Sequence, residues 1–143
     1  MNDRYLFKAK RLDNGEWVQG YYVKGLDMYG KEVHLIFEPN TMFYSSGETD
    51  GWYKVDPSTL CQCTGLKDKS GKLIWENDIV RDKEGNCYKA FWQNNYYQFS
   101  WICVKSDIFQ IGTKWDLYIW RSYEIEVIGN TFDNPELLES EEK

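Results

Sequence analysis

Short apolar runs, most of them holding Tyr, Trp or Phe, alternate along this chain with clusters of Gly, Asn, Asp, Ser and Lys, spaced roughly every 8 to 12 residues. That pattern predicts antiparallel strands joined by turns and leaves helix as the minority state. "RYLFKAK" reads as a first strand, Asp13-Asn14-Gly15 as a turn, and "EWVQGYYV" as its return. Asn-Gly supplies two residues that tolerate positive φ, as a tight hairpin requires. "EVHLIFE" is a third strand ending at Pro39, and "MFYSSGETDGWYKVD" gives two short extended pieces around a Ser/Gly/Asp loop.

The pattern resets after Asp56-Pro57. "TLCQCTGL", the turn "KDKSGK", the strand "LIWENDIVRD", the turn "KEGN" and "CYKAFWQ" follow in order, and "NNYYQFSWICV" and "DLYIWRSYEIEVIGN" finish the sheet. The expected class is all-β, mainly antiparallel. An N-terminal β-meander occupies residues 1–57, and a small barrel or strongly bent sheet occupies 58–132. The tail 133–143 begins with a proline suited to a first turn, so a short C-terminal helical turn is expected before its acidic end.

With 42% hydrophobic and 17% aromatic residues, the 143-residue chain carries enough apolar side chain for a real core, which excludes disorder of the body. No run approaches the ~18 apolar residues of a membrane helix, and "MNDRYLFKAKRLDNG" lacks the apolar stretch of a signal peptide. The expectation is a cytoplasmic protein without a membrane partner. Of the net charge of −6, residues 133–143 hold five acids and one lysine, a net −4, leaving −2 for the rest. A nearly balanced body indicates neither a generic nucleic-acid stripe nor an acidic solvating domain.

Several short motifs could carry chemistry. Alternation puts Cys61 and Cys63 on one strand face, but a structural zinc site needs four ligands, and Cys87, Cys103 and His34 stand far away in sequence. Small apolar strand residues are the favoured reading, with no metal, cofactor or disulfide expected. "GLKDKSGK" lacks the phosphate-loop pattern and any following helix, and reads as a β-turn with Gly71 at positive φ. Glu76 and Asp78 share a face if their strand is regular, the arrangement of a carboxylate-based hydrolase. Lys72 and Arg81 nearby favour an ion-paired strand end instead, and Asn77 between them looks like a bulge or turn residue. The aromatic excess is the more informative feature. Trp92, Tyr96, Tyr97, Phe99, Trp101, Trp115, Tyr118 and Trp120 crowd the C-terminal half on both sheet faces, more than one small chain readily covers, which points to a partner.

"YLFKAKRLDNGEWVQGYYV", "VDPSTLCQCTGLKDKSGKLIWENDIV" and "YEIEVIGNTFDNPELLE" together resemble the YopX family of phage and prophage proteins. Thr64, Gly65, Leu66, Lys67, Asp68, Lys69, Gly71, Lys72, Ile74, Glu76, Asp78, Ile79 and Val80 match the family's stretch T-G-L-K-D-K-x-G-K-x-I-[YF]-E-G-D-I-V. Asn77 replaces the usual glycine of E-G-D, and Asn is the residue next most tolerant of the left-handed region. Cys61 and Cys63 stand where relatives tend to carry Gly and Tyr. The resemblance implies an SH3-like barrel in the C-terminal part and self-association, and it names no enzymatic activity, since the family has no assigned function. The aromatic excess without a catalytic constellation makes the expected function a non-enzymatic phage or prophage accessory protein in the bacterial cytoplasm, a homo-oligomer that binds a protein partner, with no catalytic residues. The alternative is nucleic-acid binding on a face made of Lys67, Lys69, Lys72, Arg81, Trp92, Tyr97 and Trp101, with Lys83 adding a further phosphate contact. Interleaved Asp68, Glu76, Asp78, Asp82 and Glu84 weaken its field.

Overall fold

A computed structural model describes residues 3–42, 44–46, 50–117 and 124–142. The described chain is antiparallel β with short 3-10 helices, as the alternation predicts. Its strands are β1 Phe7–Lys10, β2 Trp17–Leu26, β3 Glu32–Phe37, β4 Trp52–Lys54, β5 Cys61–Lys67, β6 Leu73–Trp75, β7 Asp78–Arg81, β8 Cys87–Gln93, β9 Gln98–Lys105, β10 Lys114–Asp116 and β11 Glu126–Asn130. No helix among the described residues is long and apolar enough to cross a membrane. The chain packs as two compact units, Met1–Cys63 and Thr64–Lys143, so β5 passes from one into the other.

In the first unit the hydrogen-bonded order is β4-β3-β2-β1-β5. Arg11 also pairs with Val55, and Asp56 N–H donates to Lys10 O at 2.9 Å, so the end of β4 returns to the end of β1. Ala9, Val18, Ile36 and Val55 are buried at the centre, with Phe7, Tyr53 and Leu60 packed around them. The first expected strand is shorter than the pattern suggested, because Asp3–Tyr5 turns as a 3-10 helix. Of the two extended pieces expected in residues 42–56, Trp52–Lys54 is a strand; Phe43 and residues 47–49 lie outside the described residues.

The second unit holds a five-stranded sheet ordered β10-β9-β8-β7-β11, together with the β5–β6 hairpin. One face of that sheet buries Val80, Tyr88, Ala90, Trp101 and Cys103 with Ile74 and Ile125. The other face carries Ile79, Cys87 and Val104, covered by Leu137 and Leu138 of the 3-10 helix Pro135–Glu142. The tail is thus a lid on the second core layer for the length of Leu137 and Leu138, rather than a purely solvated appendage. Burying two leucines there contributes about 3–6 kcal/mol by area arguments, an upper estimate.

"LIWENDIVRD" is two strands and not one. Asn77 adopts φ +72°, and the chain turns between β6 and β7 at Glu76-Asn77. Similarly, Asn94–Tyr97 of "NNYYQFSWICV" form the turn before β9. In "DLYIWRSYEIEVIGN" only the ends are described, as β10 and β11; Tyr118 and Trp120 lie outside the described residues.

Three of the hairpin turns repeat one design. Asp27-Met28-Tyr29-Gly30-Lys31, Asp68-Lys69-Ser70-Gly71-Lys72 and Asp82-Lys83-Glu84-Gly85-Asn86 each place glycine at positive φ (+77°, +81° and +89°). In each, the aspartate carboxylate accepts the N–H of the residues two and four positions on: Tyr29 and Lys31, Ser70 and Lys72, Glu84 and Asn86. The short side chain substitutes for a backbone acceptor, which is why Asp recurs three residues before Gly.

Candidate binding face

The sequence motif that carries the resemblance builds a hairpin and its anchors. Thr64 is buried; its hydroxyl donates to Ile74 O at 2.7 Å and accepts Leu66 N–H at 3.1 Å. Gly65 sits at φ +87° inside β5, a conformation glycine adopts without a Cβ penalty, beside the Thr64 hydroxyl that accepts the Leu66 N–H. Asp68 goes further than its own turn, since its second oxygen accepts Val127 N–H of β11 at 3.0 Å. Burial pushes the Asp68 carboxyl up, but donors from Val127, Lys72 and Ser70 and the Lys72 charge outweigh it and hold it below the usual carboxylate range.

Asp78 is buried, and its carboxylate accepts Trp75 N–H at 2.8 Å across the β6–β7 turn. Glu76 is half-buried in the turn itself, so the pair is not a regular i, i+2 arrangement on one strand face. Ile74 and Val80 join the main core with Leu66 packed beside them, whereas Ile79 faces the layer under the tail. Lys67, Lys69, Lys72 and Arg81 are exposed. Glu126 lies 3.2 Å from Arg81 and 4.0 Å from Lys69, so part of that positive charge is neutralised on the spot.

The cysteines occupy core positions. All four are buried and unbridged, and burial pushes the thiols of Cys87 and Cys103 up. Among the described residues no group of three or more His, Cys, Asp or Glu is placed to hold a metal ion. A polar cluster missed in the sequence lies at the β7–β8 turn. Tyr88 OH and Asn86 Nδ2 both donate to Asp82 Oδ2 at 2.8 and 3.1 Å, and Ser106 Oγ donates to Asn86 Oδ1 at 2.6 Å. Burial and the Asp82 carboxylate raise the Tyr88 phenol, so it stays a neutral donor. The signal available beforehand was the Asp-x-x-Gly spacing.

Among the expected binding aromatics, Trp101 is corrected. It is 0% exposed, its indole N–H donates to Leu117 O at 3.3 Å, and it is a core residue. Trp92 shares its sheet face, yet lies where that face runs past the core and is 40% exposed, edge-on to Phe99 with ring centroids 5.1 Å apart. Tyr97 is 82% exposed at the tip of the β8–β9 hairpin, and Tyr96 beside it is exposed too. Tyr97 adopts φ +52°, an unusual conformation for a bulky side chain, at a position where glycine or asparagine relieves the strain. The whole run Phe91–Ser100 contains no charged residue. Three of its polar side chains are held by hydrogen bonds: Ser100 Oγ donates to Gln93 Oε1 at 2.9 Å, and Gln98 Nε2 donates to Asp116 Oδ1 at 2.6 Å.

These features define an all-β protein whose motif residues Thr64, Asp68, Ile74, Asp78, Ile79 and Val80 are built into the fold and whose uncharged β8–β9 hairpin tip exposes Tyr96 and Tyr97. The chain belongs to the YopX family, whose model, described as YopX protein, matches residues 6–139. Among curated proteins none matches it.

Proposed function

We propose that this chain is a non-enzymatic phage or prophage accessory protein that self-associates and binds a protein partner through the tip of the β8–β9 hairpin. The observation that carries this reading is Tyr97, a bulky aromatic exposed at positive φ among Trp92, Tyr96 and amide side chains. A strained, solvent-facing aromatic is costly to keep for the fold alone, and strain of this kind concentrates at binding sites. Rigid aromatics with adaptable amides form the chemistry of protein-recognition loops. Asp68 and Asp78 are already committed to backbone donors, which supports a binding role over carboxylate catalysis.

The nucleic-acid alternative would need the lysines of the β5–β6 and β7–β8 turns to act with the aromatics. Glu126 beside Lys69 and Arg81, and the neutrality of the aromatic hairpin, argue against it. The test is recovery of a host protein on the immobilised chain at low and high salt, compared with the Trp92→Ala/Tyr96→Ala/Tyr97→Ala variant. A saturable partner retained at high salt and lost by the variant supports the reading. A bound species released by nuclease or by moderate salt replaces it with the nucleic-acid one.

A further inference from the structure

The outer edge of β10 is half of an interface, and we infer that a second copy of this chain completes it by antiparallel pairing of Lys114–Asp116 with its own Lys114–Asp116. This deepens the self-association part of the proposed function and rests on that part alone.

β10 ends its sheet, paired with β9 on one side and with no other described strand. The direction of its backbone groups follows from the β9 side. Thr113 O accepts Cys103 N–H at 2.8 Å, so Thr113 faces β9 and, by alternation, Trp115 does too, opposite Trp101. Lys114 and Asp116 then aim their N–H and C=O groups away from β9, where these groups have no partner among the described residues. The chain leaves this edge at both ends. Thr113 N–H turns back onto Gln110 O at 3.2 Å, and Leu117 packs on the core, its carbonyl accepting the Trp101 indole N–H. A row of unpaired backbone groups is a template for another strand.

The side chains select the partner and the register. A short edge strand carrying a lysine ordinarily discourages pairing. Here the charges are of opposite sign and two residues apart, which makes the strand complementary to itself. A two-fold through Trp115 sets Lys114 opposite the second copy's Asp116 and Asp116 opposite its Lys114, with the edge groups of these residues forming two hydrogen-bonded pairs. A two-fold through Lys114 would set two ammonium groups face to face, and one through Asp116 two carboxylates. Both side chains are exposed, and Lys114 has no ion pair among the described residues. Asp116 accepts Gln98 Nε2 on Oδ1 and keeps its other oxygen for the lysine.

The opposite face of the strand gives an independent sign. Trp115 is only half-buried, although Tyr88 and Phe109 stand edge-on to its ring at centroid distances of 5.4 and 5.1 Å, and Phe109 is itself 38% exposed. In the register about Trp115 the two Trp115 side chains form a directly opposed cross-strand pair, so each covers apolar ring surface of the other and adds aromatic contact to the charge pairs.

Sedimentation velocity of the full chain across micromolar concentrations tests the inference, using Lys114→Glu and Asp116→Lys, with near-ultraviolet dichroism as the check on folding. The wild type is expected to dimerise. Each variant alone sets like charges against each other twice across the two-fold and is expected to weaken the dimer at least about tenfold. An equimolar mixture of the two is expected to recover it, because every opposed pair then joins one acid and one lysine. Should Asp116→Lys unfold, Lys114→Glu carries the test beside Lys114→Arg, which keeps the charge and is expected to dimerise as the wild type does. A wild type that associates while the folded Lys114→Glu and Asp116→Lys variants associate equally well overturns this edge and leaves self-association by another surface. A strictly monomeric wild type overturns self-association itself, leaving partner binding by the β8–β9 hairpin to its own test.

Discussion

Asp68 and Val127 are 59 residues apart in sequence, yet the carboxylate of one accepts the backbone N–H of the other at 3.0 Å. The same carboxylate closes the β5–β6 turn through Ser70 and Lys72, so one buried side chain joins a local hairpin to the last strand. Asp68→Asn places an amide among three donors and is expected to cost about 1–3 kcal/mol, read from denaturant unfolding.

The same carboxylate gives a pH dependence. Its pKa in the folded protein is held low, so its stabilisation is complete above the unfolded value of about 3.9 and is lost as pH falls through that value toward the lower folded one. Melting temperature of the wild type should therefore drop more steeply below about pH 4 than that of Asp68→Asn. Parallel curves for the two would show that Asp68 does not carry the dependence.

Asn77 is the turn residue between β6 and β7 and adopts φ +72°. Asn77→Ala should destabilise the fold by about 1 kcal/mol, while Asn77→Gly should be neutral or slightly stabilising. Equal losses for both would mean that the Asn77 side chain, not its backbone conformation, matters.

Trp101 and Tyr97 should part company in mutagenesis. Trp101→Ala opens the core of the second unit and should cost about 3–5 kcal/mol. Tyr97→Gly relieves positive φ at an exposed position and should raise stability by up to about 1 kcal/mol while abolishing partner binding. A Tyr97→Gly protein that is less stable than wild type would show that the aromatic ring packs in the fold.

The four buried cysteines should react with a thiol reagent only as fast as the protein opens. Labelling of all four in denaturant, against slow labelling in buffer, is the expected result. Rapid reaction in buffer at Cys87 or Cys103 would contradict the burial that raises their pKa values.

Much of this architecture was readable from alternation and turn residues, and the failures are specific. β8, Cys87–Gln93, matches the run "CYKAFWQ" because Gly85-Asn86 and Asn94-Asn95 bound it on both sides. The β6–β7 break was half legible: Asn77 reads as a bulge or turn residue, as its φ of +72° bears out, but Glu76-Asn77 is too short an interruption of an apolar run to mark the boundary between two strands. Trp101 was misplaced for a different reason. The β8–β9 register puts Trp92 and Trp101 on one face, and how far the core extends along that face is set by what packs against it, neither of which alternation along the chain reveals. Asp68 and Asp82 were counted as surface charge, although their spacing before Gly71 and Gly85 carried the signal of turn carboxylates. The positive φ of Tyr97 had no sequence signal, since Asn94-Asn95 beside it are the better candidates for such a conformation.

The central claim is that the β8–β9 hairpin tip contacts a protein. The most direct measurement is photo-crosslinking in bacterial cells expressing the chain with a benzophenone side chain placed at Tyr97, and with Lys83 of the basic turn as the comparison position. The account predicts a discrete protein adduct from position 97 that is absent from position 83. Adducts to nucleic acid from both positions, or no adduct from position 97, would contradict it.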